Sequence, residues 1–91
     1  MKLRVWHIPQ IPMESFYVAV PDVETAKLVL ELLARYDIFQ YEHRVKPDYS
    51  NASGLQYWDA TEEEWCDWVS DDGMNIDEVM ADENYELEDV N

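Results

Sequence analysis

Ten residues of this chain are of types that can hold a nucleotide. Arg4, Arg44 and Lys46 can pair with phosphates, Phe39 and Tyr49 can stack on bases, and Asn51 and Gln56 can read base edges. Gly54 lets backbone amides come close to a ligand. His7 and Gln10, beside Arg4, are the remaining candidates. Most of the set lies in one segment, 39–56. The same segment also reads as an ordinary polar loop following core aromatics, and residue types alone leave both readings open.

Catalytic chemistry has less to stand on. No serine or cysteine sits in a nucleophile motif, and His7 and His43 are not at metal-ligand spacing. Cys66 stands alone, so neither a disulfide within the chain nor a cysteine metal site is expected. The run Glu62-Glu63-Glu64 falls in a turn and lacks the pattern of a calcium loop. With only 2 glycines there is no glycine-rich phosphate loop. The chain is therefore read as a binding protein and not an enzyme, with no cofactor and no metal. Asn51-Ala52-Ser53 matches a glycosylation acceptor and is read as chance. Trp58, Trp65 and Trp68 are expected to serve core packing and cross-strand pairing before any ligand cage.

Charge is unevenly spread. All 6 Lys and Arg residues and 7 of the acids lie in residues 1–56, whereas residues 57–91 hold the other 14 acids and no Lys or Arg. Of the net charge of -15, all but one unit thus belongs to residues 57–91. Such an acidic region can dock on a basic host protein or simply confer solubility. No apolar run is long enough to cross a bilayer, and the N-terminus does not read as a signal peptide. A cytoplasmic location in the host cell is the expectation.

The elements that must position these residues follow from periodicity. Residues 2–8 alternate, with Leu3, Val5 and His7 on one face and Arg4, Trp6 and Ile8 on the other, which predicts a strand ending at Pro9. A second strand spans 15–20. Asp22 caps a helix over 22–36 whose Ala26, Val29, Leu30 and Leu33 face the sheet and whose Glu24, Lys27, Glu31 and Arg35 form a polar stripe. Residues 37–45 are read as containing a short strand, 46–54 as a loop, and 55–69 as a hairpin turning at 60–63. The architecture is α+β: a small, mostly antiparallel sheet of order β-β-α-β-β, with one helix on one face. Residues 1–70 form the domain; 71–91 form an acidic tail, read as flexible, with Ile76, Val79 and Met80 at weak helical spacing. Leu28 and Leu32 exceed what one sheet covers, which points to a homo-oligomer.

Three segments carry a family likeness. Residues 5–12 (Val-Trp-His-Ile-Pro-Gln-Ile-Pro), 37–42 (Asp-Ile-Phe-Gln-Tyr-Glu) and 46–56 (Lys-Pro-Asp-Tyr-Ser-Asn-Ala-Ser-Gly-Leu-Gln) resemble small bacteriophage superinfection exclusion proteins. The likeness covers roughly residues 3–69, and Ser53 stands where much of that family has a second glycine. It implies a phage protein acting against the host or a competing phage. The family is also similar to viral sponge proteins that sequester the cyclic oligonucleotide signals of bacterial anti-phage immunity, as oligomers and without cleavage. That second likeness implies a cyclic dinucleotide as ligand. The alternative is an acidic inhibitor that mimics DNA on a host or rival-phage protein.

Overall fold

Strand β1 (Leu3–Ile8) is flanked on both sides, by β2 (Phe16–Val20) and by β3 (Ala52–Asp59), and β4 (Glu64–Asp67) extends the sheet beyond β3. All three pairings are antiparallel, so the sheet order is β2-β1-β3-β4. Helix α1 (Val23–Glu42) follows β2, and a second helix, α2 (Ile76–Asp82), follows β4. These elements come from a computed structural model that describes residues 1–44 and 51–85. The class is α+β, as the alternation along the chain predicts.

The alternation of β1 divides the sheet into two unlike faces. Leu3, Val5 and His7 are buried, and they meet α1. Val20 and Leu55 join them from the neighbouring strands, Ala26 and Leu30 from α1, and Ile76 from α2. Each of the Val, Leu and Ile side chains among these contributes roughly 1.5–3 kcal/mol on burial. Both helices pack on this face. Asp22 caps α1 by accepting the Thr25 amide at 2.7 Å.

Four expectations need correction. Helix α1 does not stop at residue 36 but runs to Glu42, so no strand occupies 37–42. Ile38, Phe39 and Tyr41 favour strands intrinsically, but Asp37 is buried beneath the helix, and that tertiary contact carries α1 onward. Residues 52–54 are not loop: Ala52, Ser53 and Gly54 pair with Ile8, His7 and Trp6. Lys27 is not on an exposed polar stripe. Its ammonium is buried and reaches Glu24 at 3.0 Å and Glu83 at 2.6 Å, while Glu31 and Arg35 do form the expected pair at 3.4 Å. The acidic segment holds helix α2, whose N-terminus is a reciprocal cap: Asn75 accepts the Glu78 amide and Glu78 accepts the Asn75 amide. The turn of the last hairpin lies where it was read, with Asp59 accepting the Thr61 and Glu62 amides.

The Lys27 link fastens the end of α2 to α1, and the hydrogen bonds its ammonium donates to Glu83 and Glu24 raise the Lys27 pKa. A raised folded-state pKa means that the link's stabilisation is full below the unfolded lysine value of about 10.4 and is lost as pH climbs through the folded value. We expect wild-type stability to urea to fall at alkaline pH more steeply than that of Lys27→Met. Urea midpoints measured from pH 8 to 11.5 on both proteins check this; parallel curves would contradict it.

Candidate functional site

Among the described residues no helix lies across the second face of the sheet; the start of α2 only borders it, where Asn75 and Asp77 line a cavity with Trp6, Gly54 and Asp67. Antiparallel register lays this face out as rows: Lys2 beside Trp58 and Trp65, Arg4 between Ala19 and Gln56 with Asp67 beyond, and Trp6 between Tyr17 and Gly54. This small area therefore carries four large rings, two cations and one amide. Trp58 and Trp65 meet edge to face, centroids 5.5 Å apart. They form the expected cross-strand pair, but on the open face and not in the core; of the three hairpin tryptophans it is Trp68 that packs against the core.

Arg4 is the centre of this arrangement. Its guanidinium lies 3.8 Å from the Tyr17 ring centroid and 4.1 Å from that of Trp65. Its Nε donates to Gln56 Oε1 at 2.8 Å. Three contacts hold a long side chain in one orientation, so little rotamer entropy remains to be lost on binding an anion. Lys2 Nζ lies 5.5 Å from Trp58 and 5.6 Å from Trp65. Asp67 is the one acid that the register places on this face among the described residues.

Gly54 is needed here for room and not for an unusual backbone. A Cβ at this position would lie 2.6 Å from Trp6 Nε1 and 2.8 Å from Cε2, since the indole lies over the glycine. Its backbone is ordinary strand; positive φ is confined to Gly73 among the described glycines.

His7 and Asn51, grouped with Arg4 by residue type, lie on the other side of the sheet. They converge on Asp37 of α1. Asn51 Nδ2 donates to Asp37 Oδ2 at 2.5 Å, and His7 Nε2 approaches the same oxygen to 2.9 Å with its N–H off the line of the contact. His7 and Asp37 are each 2% exposed. Next to them opens a cavity of about 200 Å³ walled by Phe16, Leu33, Tyr36 and Gln40. Asp37 is a residue that motif reading passed over; its signal was its place one helical turn beyond Leu33 on the sheet-facing stripe.

The other candidates are scattered. Phe39 stacks on His43 at 4.1 Å at the end of α1, where His43 also bonds the Phe39 carbonyl at 2.9 Å. Arg44 follows with φ of 60°. Gln10 sits in the connection after β1, its carbonyl accepting the Met13 amide. Lys46 and Tyr49 lie outside the described residues. The proposed site thus divides: Arg4, Gly54 and Gln56 share the open face, while His7 and Asn51 share a buried cluster. Desolvation pushes the half-buried Cys66 thiol up from its ordinary value, which keeps it protonated rather than thiolate. Among the described residues no His, Cys, Asp and Glu groups converge as a metal site.

The fold and this face define a small α+β protein with a helix-covered side and an aromatic, cationic side. The chain belongs to the family described as superinfection exclusion gene product 17, whose model matches residues 2–88. It is also 46% identical over 82 residues to the superinfection exclusion protein of Salmonella phage P22, covering 78% of this chain and 80% of that protein. No solved structure matches it. No helix among the described residues is long and apolar enough to cross a membrane.

Two substitutions separate structural from surface roles. Gly54→Val should drive Trp6 off the sheet and lower stability by roughly 1–3 kcal/mol, as overpacking does. Asn51→Ala should cost about the same by leaving the buried Asp37 carboxylate short of a donor. Urea denaturation measures both. A fully stable Asn51→Ala would show that its 2.5 Å contact contributes nothing.

Proposed function

We propose that this protein is a phage superinfection exclusion protein that binds and sequesters a cyclic oligonucleotide signal of the host on the open face of its sheet, without cleaving it. The observation that carries the reading is the clamped Arg4, held between Tyr17 and Trp65 in the middle of that face. A cyclic dinucleotide presents two phosphates and two bases. Arg4 and Lys2 supply two cations, Trp6, Tyr17, Trp58 and Trp65 supply flat surfaces, and Gln56 supplies an amide. Family membership and the 46% identical P22 protein support the exclusion role.

The net charge of -15 opposes a dianionic ligand at long range. Salt screens that field over about 8 Å, so two local cations on a face with one acid prevail at contact. The reading places the protein in the host cytoplasm, where such signals are made. The rival reading, an acidic inhibitor acting through its C-terminal third on a host protein, makes the open face irrelevant.

Calorimetry against a panel of cyclic dinucleotides tests the proposal. We expect one of them to bind and to be recovered chemically unchanged. Arg4→Ala and Trp65→Ala should each weaken binding by about one to two decades, the cost of a lost phosphate contact or base stack of roughly 1–3 kcal/mol. If no cyclic nucleotide binds, the sponge reading fails. If exclusion activity survives Arg4→Ala and Trp65→Ala but is lost on neutralising the acidic residues of 71–85, the inhibitor reading replaces it.

The reading also includes self-association. Leu28 and Leu32 are 46% and 58% exposed on α1, and Phe39 continues that stripe toward the helix end. A second copy laid along this stripe would cover it. Light scattering at tens of micromolar should give at least a dimer, reduced to monomer by Leu32→Glu; a monomeric wild type would contradict this part.

A further inference from the structure

The buried cluster on the helix-covered face has no part in that reading. A sheet and a helix need only apolar residues between them, yet position 7 is histidine and position 37 is aspartate, each 2% exposed. Asn51 satisfies the carboxylate from one side, and His7 Nε2 faces it from another at 2.9 Å. The Asp37 carboxylate 2.9 Å from Nε2 favours the imidazole proton on that nitrogen, although the N–H is off the line of the contact, and that tautomer leaves a lone pair on Nδ1. His7 Nδ1 is fully buried and has no hydrogen-bond partner among the described residues. Buried acceptors without partners are rare and mark a place where something else binds.

The cavity beside His7 states what that something is. Its volume is about 200 Å³, and apart from His7, Asp37 and Gln40 its described wall is made of Pro9, Leu33 and the rings of Phe16 and Tyr36. An apolar cavity of about 150 Å³ holds one benzene-sized ring, so a whole one-ring or fused two-ring molecule fits without a tether. The nearby Asp37 carboxylate disfavours an anion, which separates this site from a phosphate-binding surface. Phe16 meets the His7 ring edge on, at 5.5 Å and 75°, the packing an aromatic guest prefers.

We propose that the His7–Asp37 cavity binds a small neutral aromatic molecule carrying one hydrogen-bond donor, of the phenol or indole class. The ring is taken up by Phe16, Tyr36 and Leu33, and the donor goes to His7 Nδ1, with Asp37 and Asn51 holding the imidazole in the accepting tautomer. This site is independent of the open sheet face.

Ligand-observed NMR and calorimetry on the full chain test it with three probes: phenol, indole and toluene. Phenol and indole should bind, and toluene, with the same ring size as phenol and no donor, should bind roughly three- to tenfold more weakly, the worth of one neutral hydrogen bond. In wild-type protein labelled with nitrogen-15, phenol should shift the His7 Nδ1 resonance toward that of a hydrogen-bonded acceptor, and toluene should not. Gln40→Trp, which narrows the cavity from the outer side of α1, should abolish binding of all three while the sheet resonances stay in place. A cyclic dinucleotide should leave phenol binding unchanged. Equal affinity for toluene and phenol, an unmoved Nδ1 resonance at saturation, or no binding at millimolar phenol and indole would each overturn the proposal. So would tighter binding of N-acetyltyrosinamide than of phenol, which would reassign the cavity to a side chain of a protein partner.

Discussion

Side chains leave a β-strand on alternate sides, and in this protein that rule bears on one strand above all. β1 lies between β2 and β3, so it has no free edge and cannot slip in register without turning both of its faces over. Leu3, Val5 and His7 then must meet α1, and Lys2, Arg4 and Trp6 must meet whatever lies on the other side. The apolar half of the alternation holds the register through burial. The polar and aromatic half is carried along with it, and the clamp around Arg4 exists because Tyr17 and Trp65 arrive on the same face from different strands.

This division explains how the two clusters coexist in so short a chain. The open face requires long side chains to be held still, and it does this with ring contacts and one hydrogen bond from Arg4 to Gln56. The covered face tolerates a buried imidazole and carboxylate because Asn51 enters from the start of β3 to share the charge. One residue further along the chain the side chains point the other way, so Asn51 and Gly54 serve different faces although three positions separate them. Helix α2 closes the far end of the core through Ile76 and is fastened by Lys27 to Glu83.

Much of the scaffold was legible in the sequence because it rests on local rules. The alternation of residues 2–8, the Asp22 cap and the hairpin turn at 60–63 all need only neighbours within a few positions. The errors fall where a distant partner decides. Asp37 looked like a helix end, and its burial rests on partners distant in the chain, His7 thirty positions earlier and Asn51 fourteen later. Lys27 looked exposed until Glu83 returned to it from the acidic segment. Of the candidate site residues grouped by chemistry, Arg4, Gly54 and Gln56 do share one sheet face, but type alone cannot say on which side of a sheet a residue lands. His7 and Asn51 were grouped with them, and the parity of the strands sends those two to the other side. Tyr17, Trp58 and Trp65 were passed over as candidates because aromatic residues in strands are usually core.

The contact between Trp6 and Gly54 has a consequence for how this family can diverge. The two positions sit opposite each other on adjacent strands and share one volume, with the indole occupying the space a side chain at 54 would need. Neither can drift alone: a larger residue at 54 is viable only in a lineage that has first reduced the one at 6, and a smaller residue at 6 uncovers the glycine and relaxes the demand for it. The pair should therefore change together or not at all, so that an alignment of relatives would carry the packing of this sheet face as a correlation between two columns forty-eight positions apart.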